Sequence, residues 1–365
     1  MNRDESRAND VDVDAFARRF SPDSVPDVTL IKRTSNFIRT LKTAIRAVIV
    51  DLDPKTVDVV RSLPGVSYVE EDALGRVNYD DALSWGTDRV NQKDLPLDNN
   101  DDFKYDGEGG NIYIIDTGIR VTHNDFNGRA TWAENIVDSN NEDFDGHGTH
   151  CAGTAAGTRY GVAKKANVYA VKVCYCAGFC RSSDVVAGVD YVARKKTDGE
   201  ENVVASMSLT FLMHSQALQG TVTSAIQEGV VVVAASGNQG DDACEVMPAN
   251  IHGVITVGNT QRNDIMHYSS NYGKCVDILA PGTSITSASH WNDYESAVKT
   301  GTSMACAHVA GAAAILMANR GVQPSEVRNI LVREATSDRI HGNLADTPNK
   351  LLYVEPQDER NREEL

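Results

Sequence analysis

The sequence predicts a doubly wound α/β domain, with a mostly parallel sheet and helices on both faces, preceded by a smaller α+β domain. Apolar runs bounded by turn residues recur through residues 80–354, and segments of helical length separate them. Such runs are typical of parallel strands buried on both faces, and their alternation with helices favours a doubly wound sheet. With 365 residues, the chain is long enough for about two domains.

In chain order, residues 1–27 are charged, show little periodicity and are predicted to be disordered. Residues 28–79 are expected to form the small α+β domain. Its predicted strands are VTLIKRT, RAVIVDLD and VSYVEED, and its predicted helices are NFIRTLKTA and PKTVDVVRSL. Pro54 suits the first turn of the second helix. A domain this small has a small hydrophobic core, so it is expected to depend on contact with a partner surface for its stability.

The larger domain should occupy residues 80–354. Its predicted strands are NIYIID, NVYAVKV, VVASMSL, GVVVVAAS and GVITVG, with helices at residues 184–195 and 215–228 among those between them. Residues 355–365, EPQDERNREEL, are expected to be a solvated tail.

The charge and the N-terminus narrow the class of protein. A formal net charge of −16 argues against a nucleic-acid partner, because phosphate binding needs clustered Lys and Arg. We find no apolar run of transmembrane length, so no membrane partner is expected. The polar start, MNRDESRAND, lacks the apolar core of a secretory signal.

Four polar residues stand where a site is expected, beyond the carboxyl ends of strands or at a helix start. Asp116 ends NIYIID, Asn238 follows VVVAAS, His147 lies in DGHGTHCAG, and Ser303 in GTSMACAHVAG leads into an apolar helical stretch. A serine nucleophile needs an imidazole base, a carboxylate that orients the base, and donors for the oxyanion. Together these residues indicate nucleophilic acyl transfer.

Each residue also has a simpler interpretation when taken singly. A serine at a helix start is usually an N-cap, and an aspartate after a strand is usually a turn residue. His147 and His150 could be metal ligands, although the H-E-x-x-H pattern is absent. The ordered set of four favours catalysis.

These motifs resemble those of the subtilisin-like serine proteases, and most of all the proteinase K and aqualysin branch. The order Asp, His, Ser is that of the family, and the similarity covers nearly all of residues 80–354, from WGTDRVNQKDLPLD to PNKLLY. The resemblance implies a subtilisin-like fold and no cofactor for the chemistry. It also implies the following roles: Asp116 orients the base, His147 is the base, Ser303 attacks, Asn238 stabilises the oxyanion and His150 is structural.

The resemblance further implies that residues 28–79 are a ferredoxin-like propeptide domain, an intramolecular inhibitor removed between about Leu74 and Leu83. Two substrate-binding edges are implied, formed by Ser208, Leu209 and Thr210 and by Gly178, Phe179 and Cys180. The family usually has Ser-Leu-Gly-Gly where this chain has SLTF. Thr210 and Phe211 should therefore restrict the pocket for the residue before the scissile bond, unless their side chains point to solvent.

Seven cysteines leave at least one without an intrachain partner. The cluster CYCAGFC favours a disulfide over a metal site, because no second cluster completes a tetrahedral set. The resemblance implies a disulfide between Cys244 and Cys275. It also implies a Cys176 whose usual partner position holds Phe144, with Cys180 or Cys174 as the substitute partner. Buried thiols are expected at Cys151 and Cys306.

Structural calcium is also implied, since Asp277 and the backbone carbonyls of His252 and Val254 align with calcium ligands of the branch. Calcium takes six to eight oxygen ligands. The alternative for Asp277 is a surface residue that caps a turn.

The expected function is a secreted serine endopeptidase, made as a self-processing zymogen. It should be a monomer, lie in the extracellular space or the secretory pathway, and act on proteins or peptides. The alternative is a protease-fold binding protein that retains its propeptide and has little turnover. The intact set of four residues favours the enzyme, and the altered SLTF edge favours the alternative.

Overall fold

The computed structural model describes residues 35–41, 44, 47–52, 54–70, 74–76 and 85–356. The predictions for residues 1–27, for the strand VTLIKRT and for most of the tail lie outside these residues. The chain divides into two units, Met1–Asp72 and Ala73–Leu365. The division after Asp72 lies seven residues before the predicted boundary, which falls between residues 79 and 80.

The first unit contains an antiparallel pair of strands, β1 (Ser35–Leu41) and β2 (Ala47–Leu52), with Ser35 opposite Leu52. A 3-10 turn, Pro54–Thr56, leads into helix α1 (Val57–Arg61). The predictions for RAVIVDLD and PKTVDVVRSL are therefore confirmed. The helix predicted for NFIRTLKTA is wrong, because this stretch pairs as β1 and is rich in the β-formers Phe, Ile and Thr. Residues 66–70 of the predicted strand VSYVEED form no strand.

The second unit contains the remaining elements. Its strands are β3 (Leu74–Arg76), β4 (Asn111–Asp116), β5 (Ala130–Asn135), β6 (Asn167–Lys172), β7 (Phe179–Arg181), β8 (Val203–Met207), β9 (Val231–Ala235), β10 (Ile255–Thr260), β11 (Ile278–Pro281), β12 (Ile285–Ala288), β13 (Ser296–Lys299), β14 (Thr336–Ser337) and β15 (Lys350–Leu351). Its helices are α2 (Gly86–Val90), α3 (His147–Ala156), α4 (Ser182–Thr197), α5 (Gln216–Gln227), α6 (Thr302–Arg320) and α7 (Pro324–Glu334), with 3-10 turns at Asn124–Phe126 and Ala243–Glu245.

Nine of these strands form one sheet in the order β14, β15, β11, β10, β9, β8, β4, β6, β5. Neighbours pair in parallel except for β14 and β15. The five predicted strands are β4, β6, β8, β9 and β10, so the mostly parallel sheet is confirmed. After β4 the chain builds β5 and β6 on one side of that strand and then β8 to β11 on the other. A site is expected at such a reversal, beyond the carboxyl ends of the strands.

Helix α6 passes through the core, and its residues 302–317 are buried. Among the described residues it is the one helix long and apolar enough to cross a membrane, a feature that was missed in the sequence. Its burial against the sheet accounts for that composition.

The predicted solvated tail begins later than expected. Glu355 accepts a backbone hydrogen bond from Lys104 at 3.0 Å and forms an ion pair with the Lys104 ammonium at 2.6 Å. Pro356 forms a β-bridge with Phe103. Residues 355 and 356 therefore belong to the packed structure.

Candidate active site

Asp116 and His147 meet at the carboxyl end of the sheet. Asp116 is the last residue of β4, and His147 is the first residue of α3. The Nδ1 atom of His147 lies 2.8 Å from Oδ1 and 2.9 Å from Oδ2 of Asp116, and both side chains are fully buried. A carboxylate at Nδ1 fixes the ring tautomer and assigns proton transfer to Nε2.

Two glycines in DGHG allow this close approach. Gly146 has a φ of +83°, a conformation that favours glycine. A Cβ atom at Gly148 would collide with the carbonyl oxygen of Gly118 and lie 3.2 Å from Cβ of Asp116. Without side chains at these two positions, α3 can begin directly against the end of β4.

Asp143 is a supporting residue that was missed in the sequence. Its buried Oδ1 accepts a hydrogen bond from Thr117 Oγ1 at 2.8 Å, and its Oδ2 accepts from the backbone N and Oγ1 of Thr149 at 2.9 and 2.6 Å. It therefore ties the segment after β4 to the first turn of α3. The available signal was a carboxylate four residues before the histidine that starts the helix.

Ser303 lies in the first turn of α6 and is 1% exposed. Its Oγ donates a hydrogen bond to the Ser208 carbonyl at 3.2 Å, and Ser208 Oγ donates to the Ser303 carbonyl at 3.1 Å. To act as a nucleophile, the hydroxyl must turn from this carbonyl toward the imidazole of His147. Catalytic hydrogen bonds often tighten in this way only when substrate binds.

Asn238 follows β9 and faces the start of α6. Its Oδ1 accepts the backbone N–H of Thr302 at 2.9 Å, which orients the amide. Its Nδ2 is buried and has no hydrogen-bond partner among the described residues. An unpaired buried donor costs about 1–3 kcal/mol. A donor held this way beside Ser303 is suited to a hydrogen-bond acceptor that forms during a reaction.

The pKa of His147 lies well above its ordinary value. Burial alone would lower this pKa, but the Asp116 carboxylate, helped by Cys151, stabilises the protonated ring by more. A base of this kind binds a proton firmly once it has taken it. It is also inactive at low pH, where the ring is already protonated.

His150, the second histidine of DGHGTHCAG, is held differently. Its Nε2 lies 2.9 Å from the carbonyl oxygen of Ile285, at the start of β12, and its ring is fully buried. Burial lowers its pKa to about 3, with the charge of Lys299 acting in the same direction. His150 therefore stays neutral near pH 7 and joins α3 to β12.

The ligand atoms of Asp116, His147 and Cys151 lie within 4.8 Å of one another, a spacing that could hold a metal ion. However, Nδ1 of His147 already bonds to both oxygens of Asp116. The Sγ of Cys151 lies 3.9 Å from that nitrogen and 4.0 Å from the carbonyl oxygen of Ser303. These contacts fit an oriented base with a thiol beside it better than a metal centre. The buried thiols predicted at Cys151 and Cys306 are confirmed.

The first predicted substrate edge follows β8. Ser208 and Leu209 are buried, and Thr210 is 7% exposed. Phe211 is 1% exposed, and its backbone pairs with that of Met247 through hydrogen bonds of 2.8 and 2.9 Å. The alternative that Thr210 and Phe211 point to solvent is therefore wrong. The effect of Thr210 on the pocket stays a prediction.

The second predicted edge, formed by Gly178, Phe179 and Cys180, overlaps the start of strand β7. Strand β3 pairs antiparallel with β7. The opposed pairs are Leu74 with Arg181, Gly75 with Cys180 and Arg76 with Phe179. β3 lies within the range predicted for the processing junction. A segment from that range therefore lies along the predicted substrate edge, in the pairing that an extended peptide would use.

Two disulfides are present among the described cysteines. Cys244–Cys275 confirms the predicted pair. The predicted pairing of Cys176 is wrong, because Cys174 bonds to Cys180 and Cys176 is an exposed thiol. An antiparallel bridge places Cys174 opposite Cys180 across a turn that contains Cys176.

Asp277, the one carboxylate predicted to bind calcium beside the carbonyls of His252 and Val254, does not fit the ion. Oδ1 of Asp277 accepts hydrogen bonds from Nη2 of Arg328 and, at 2.9 Å, from its Nε. Oδ2 accepts the backbone N–H of Thr256 at 2.9 Å. Both oxygens are thus engaged, and a guanidinium supplies the positive charge that calcium would bring. The surface-cap alternative is also inaccurate, because Asp277 is 8% exposed.

We expect the calcium response of the melting temperature to be independent of Asp277. If calcium binds the folded protein, a free calcium concentration of 1,000 times the Kd would stabilise the fold by about 4 kcal/mol. That gain would give a readily measured rise in the melting temperature. Asp277→Asn should melt at a lower temperature, because Arg328 loses its partner. The difference between melting in calcium and in chelator should nevertheless match that of wild type. A calcium response present in wild type and lost in Asp277→Asn would show that the ion displaces Arg328.

Comparisons with known proteins agree with this geometry. The sequence model described as the subtilase family matches residues 107–353. The chain is 40% identical over 321 residues to the alkaline serine exoprotease A of Vibrio alginolyticus, covering 85% of this chain and 59% of that relative. It is 39% identical to the extracellular serine proteinase of Thermus sp., covering 85% of this chain and 76% of that protein.

The crystal structure of a cold adapted subtilisin-like serine proteinase also matches, with a TM-score of 0.70 and 41% identity. The match covers 75% of this chain and 99% of that one. The chain thus spans less than two thirds of the Vibrio relative but nearly the whole of this structural neighbour.

Proposed function

This chain belongs to the subtilase family of serine proteases, and on that basis we propose that it hydrolyses peptide bonds in proteins through an acyl-enzyme formed on Ser303. The hydrogen bonds between His147 and Asp116, together with the unpaired Nδ2 of Asn238 beside Ser303, are the observations that carry the proposal. Relatives named as serine proteases support a peptidase over the alternative of a protease-fold binding protein.

In the first step, Oγ of Ser303 attacks the substrate carbonyl carbon while Nε2 of His147 takes the hydroxyl proton. The imidazolium that forms is stabilised by Asp116. The negative oxygen of the tetrahedral intermediate accepts hydrogen bonds from Nδ2 of Asn238 and from a backbone N–H at the start of α6. None of this requires a cofactor.

In the second step, the intermediate collapses and the carbon–nitrogen bond breaks. His147 returns the proton to the leaving amine, so the first product departs neutral and the acyl group stays on Ser303. Water then attacks the ester with His147 again acting as the base. Hydrolysis of the ester frees the carboxylate product and restores Ser303.

The chain is further proposed to be a zymogen whose residues 28–79 inhibit the peptidase. The pairing of β3 with β7 supports this part, because a segment from the predicted junction already lies in the substrate orientation. Holding the scissile segment beside the nucleophile makes the first cut effectively intramolecular, a large rate advantage. Cleavage is expected between about Leu74 and Leu83.

The proposed setting is the extracellular space or the secretory pathway. The two disulfides support it, since disulfides persist in oxidising compartments. Protein substrates follow from the family, whereas the monomeric state and the absence of nucleic-acid or membrane partners are further parts of the proposal. The net charge of −16 supports the exclusion of nucleic acids.

Reaction with a labelled fluorophosphonate tests the proposed activity. The probe modifies activated serines, so the purified wild-type chain should take up one label, on Ser303, and should hydrolyse added peptide. Prior heat denaturation should prevent the labelling. Label on another serine would contradict the role proposed for Ser303. Label on Ser303 in a processed chain that does not hydrolyse added peptide would contradict the peptidase and favour the binding protein.

Thr210 should limit the pocket for the residue before the scissile bond to small or medium side chains. Replacing Thr210 with Gly should raise kcat/KM for peptides with Phe or Leu at that position by about 10–200-fold relative to Ala, the range for methyl-sized steric differences. Thr210→Ser, which keeps the hydroxyl and removes the methyl, is the matched control and should give an intermediate shift. An unchanged peptide-library profile for Thr210→Gly would show that its side chain is not a pocket wall.

A further inference from the structure

The Cys174–Cys180 disulfide connects the catalytic aspartate to the predicted substrate edge. The backbone N–H of Cys174 donates to the carbonyl oxygen of Asp116 at 3.1 Å, so Cys174 is fixed next to the end of β4. The disulfide then joins Cys174 to Cys180, the central residue of β7. Both half-cystines are fully buried. A short path of one hydrogen bond and one disulfide therefore runs from Asp116 to the middle of β7.

The first half of strand β7 is held by the disulfide, by a backbone β-bridge between Cys174 and Cys180, and by a hydrogen bond from Tyr175 to Phe179. The strand is three residues long, and among the described strands it pairs with β3 alone. The turn before it contains Ala177 and Gly178, both with positive φ, and is closed by hydrogen bonds between Tyr175 and Phe179 and between Gly178 and Tyr175. On its other side, helix α4 begins at Ser182. When β3 leaves, the disulfide still joins β7 covalently to Cys174 at the end of the sheet.

We propose that the Cys174–Cys180 disulfide is a positioning device for extended substrates, which holds β7 at the distance from Asp116 that a peptide lying along this strand requires. The inference rests on the proposed peptidase function. A substrate with several residues before the scissile bond uses β7, whereas a single-residue substrate does not reach it. Loss of the disulfide should therefore weaken the enzyme's preference for long substrates over short ones.

The test uses the full chain in a Cys176→Ser background, so that the exposed thiol can neither exchange with the disulfide nor link two molecules. The parent is compared with a variant that also carries Cys174→Ala and Cys180→Ala. Two amide substrates share the same residue before the scissile bond and the same leaving group. One is a blocked tetrapeptide and the other a blocked single residue.

For the tetrapeptide, we expect kcat/KM to fall about 10- to 100-fold, mainly through KM. This corresponds to losing one or two backbone hydrogen bonds to the strand. For the single-residue substrate, kcat/KM should stay within about twofold. The matched control removes the other disulfide with Cys244→Ala and Cys275→Ala. It should lower the melting temperature and leave the ratio of the two substrates unchanged.

An equal loss for both substrates, or an unchanged ratio, would overturn the proposal and leave the disulfide with a purely stabilising role. If the double variant does not fold, the control variant without Cys244–Cys275 can be used instead. A phosphine reduces its Cys174–Cys180 disulfide in the folded protein, and the ratio of the two substrates is measured before and after reduction, with the same interpretation. A parent that hydrolyses neither peptide would instead refute the proposed function, and this inference with it, because there would be no substrate to position.

Discussion

Ser303→Ala should abolish peptide hydrolysis, with kcat lower by about 10⁶-fold, a figure that comes from a subtilisin and hence from the same family. The reason is chemical: the methyl side chain of alanine has no oxygen that can form the acyl-enzyme, while the buried pair of Asp116 and His147 would remain in place. Residual activity would come from oxyanion stabilisation and binding alone. The variant should fold, because the exchange removes one hydroxyl from a buried helix start.

The same variant should also fail to process itself. Wild-type chain allowed to fold should separate into a fragment ending near residues 74–83 and a peptidase body, whereas Ser303→Ala should stay full length on a denaturing gel. Asn238→Ala keeps the nucleophile and loses one oxyanion donor, so it should process about 10²–10³-fold more slowly. Cleavage of Ser303→Ala at the wild-type rate, in preparations free of other proteases, would show that Ser303 is not the nucleophile.

Asp116→Asn should lower kcat by about 10⁴-fold, because an asparagine amide favours the wrong imidazole tautomer and cannot stabilise the imidazolium. It should also move the pH profile. The pKa of His147 is raised in the folded protein, and the base acts only when the ring is neutral. Wild-type activity should therefore be absent at low pH and rise with a midpoint above the ordinary histidine value of about 6.5.

Without the Asp116 carboxylate, burial of the ring is the dominant remaining influence on the His147 pKa. The midpoint of the residual activity should consequently move to lower pH in Asp116→Asn. Asp143→Asn is the matched control, since this buried carboxylate supports the same helix start through Thr117 and Thr149. It should lower stability and leave the midpoint in place. A midpoint shared by wild type and Asp116→Asn would mean that Asp116 does not set the proton affinity of the base.

The parts of the fold that could be predicted are those whose signal is local in sequence. Buried parallel strands such as NIYIID and GVVVVAAS are apolar along their whole length, so their identity does not depend on which neighbour they pair with. The proposed catalytic residues follow from the same signal, because each stands close to the end of such a strand or at a helix start. The stretch NFIRTL carries no such signal. Its strand exists because residues 47–52 offer a partner, and periodicity alone cannot separate a short strand from a short helix.

The wrong predictions for calcium and for the disulfide of Cys176 concern partners that are distant or interchangeable. Arg328 donates a hydrogen bond to Asp277, which lies 51 residues earlier in the chain. No local sequence pattern indicates that a guanidinium contacts this carboxylate. The cysteines of CYCAGFC offer three local pairings, and each doubling of loop length changes the closure free energy by only about 0.6 kcal/mol, so loop entropy selects weakly among them. The choice is made by the backbone, which places Cys174 opposite Cys180 in a β-bridge and turns Cys176 outward.

Helix α6 couples the integrity of the proposed active site to the stability of the whole domain. Its first turn carries Ser303, the proposed nucleophile, and its following turns pack on α3, β8, β9, β10 and β11 in the centre of the domain. An opening motion that releases the whole of α6 must therefore also release much of the core, at a free energy close to that of global unfolding. Amide hydrogens along α6 should be among the slowest to exchange with solvent. Loss of activity in denaturant should likewise coincide with loss of the fold. A molecule that is active as a protease is then also folded, and so resists proteolysis by other copies of itself.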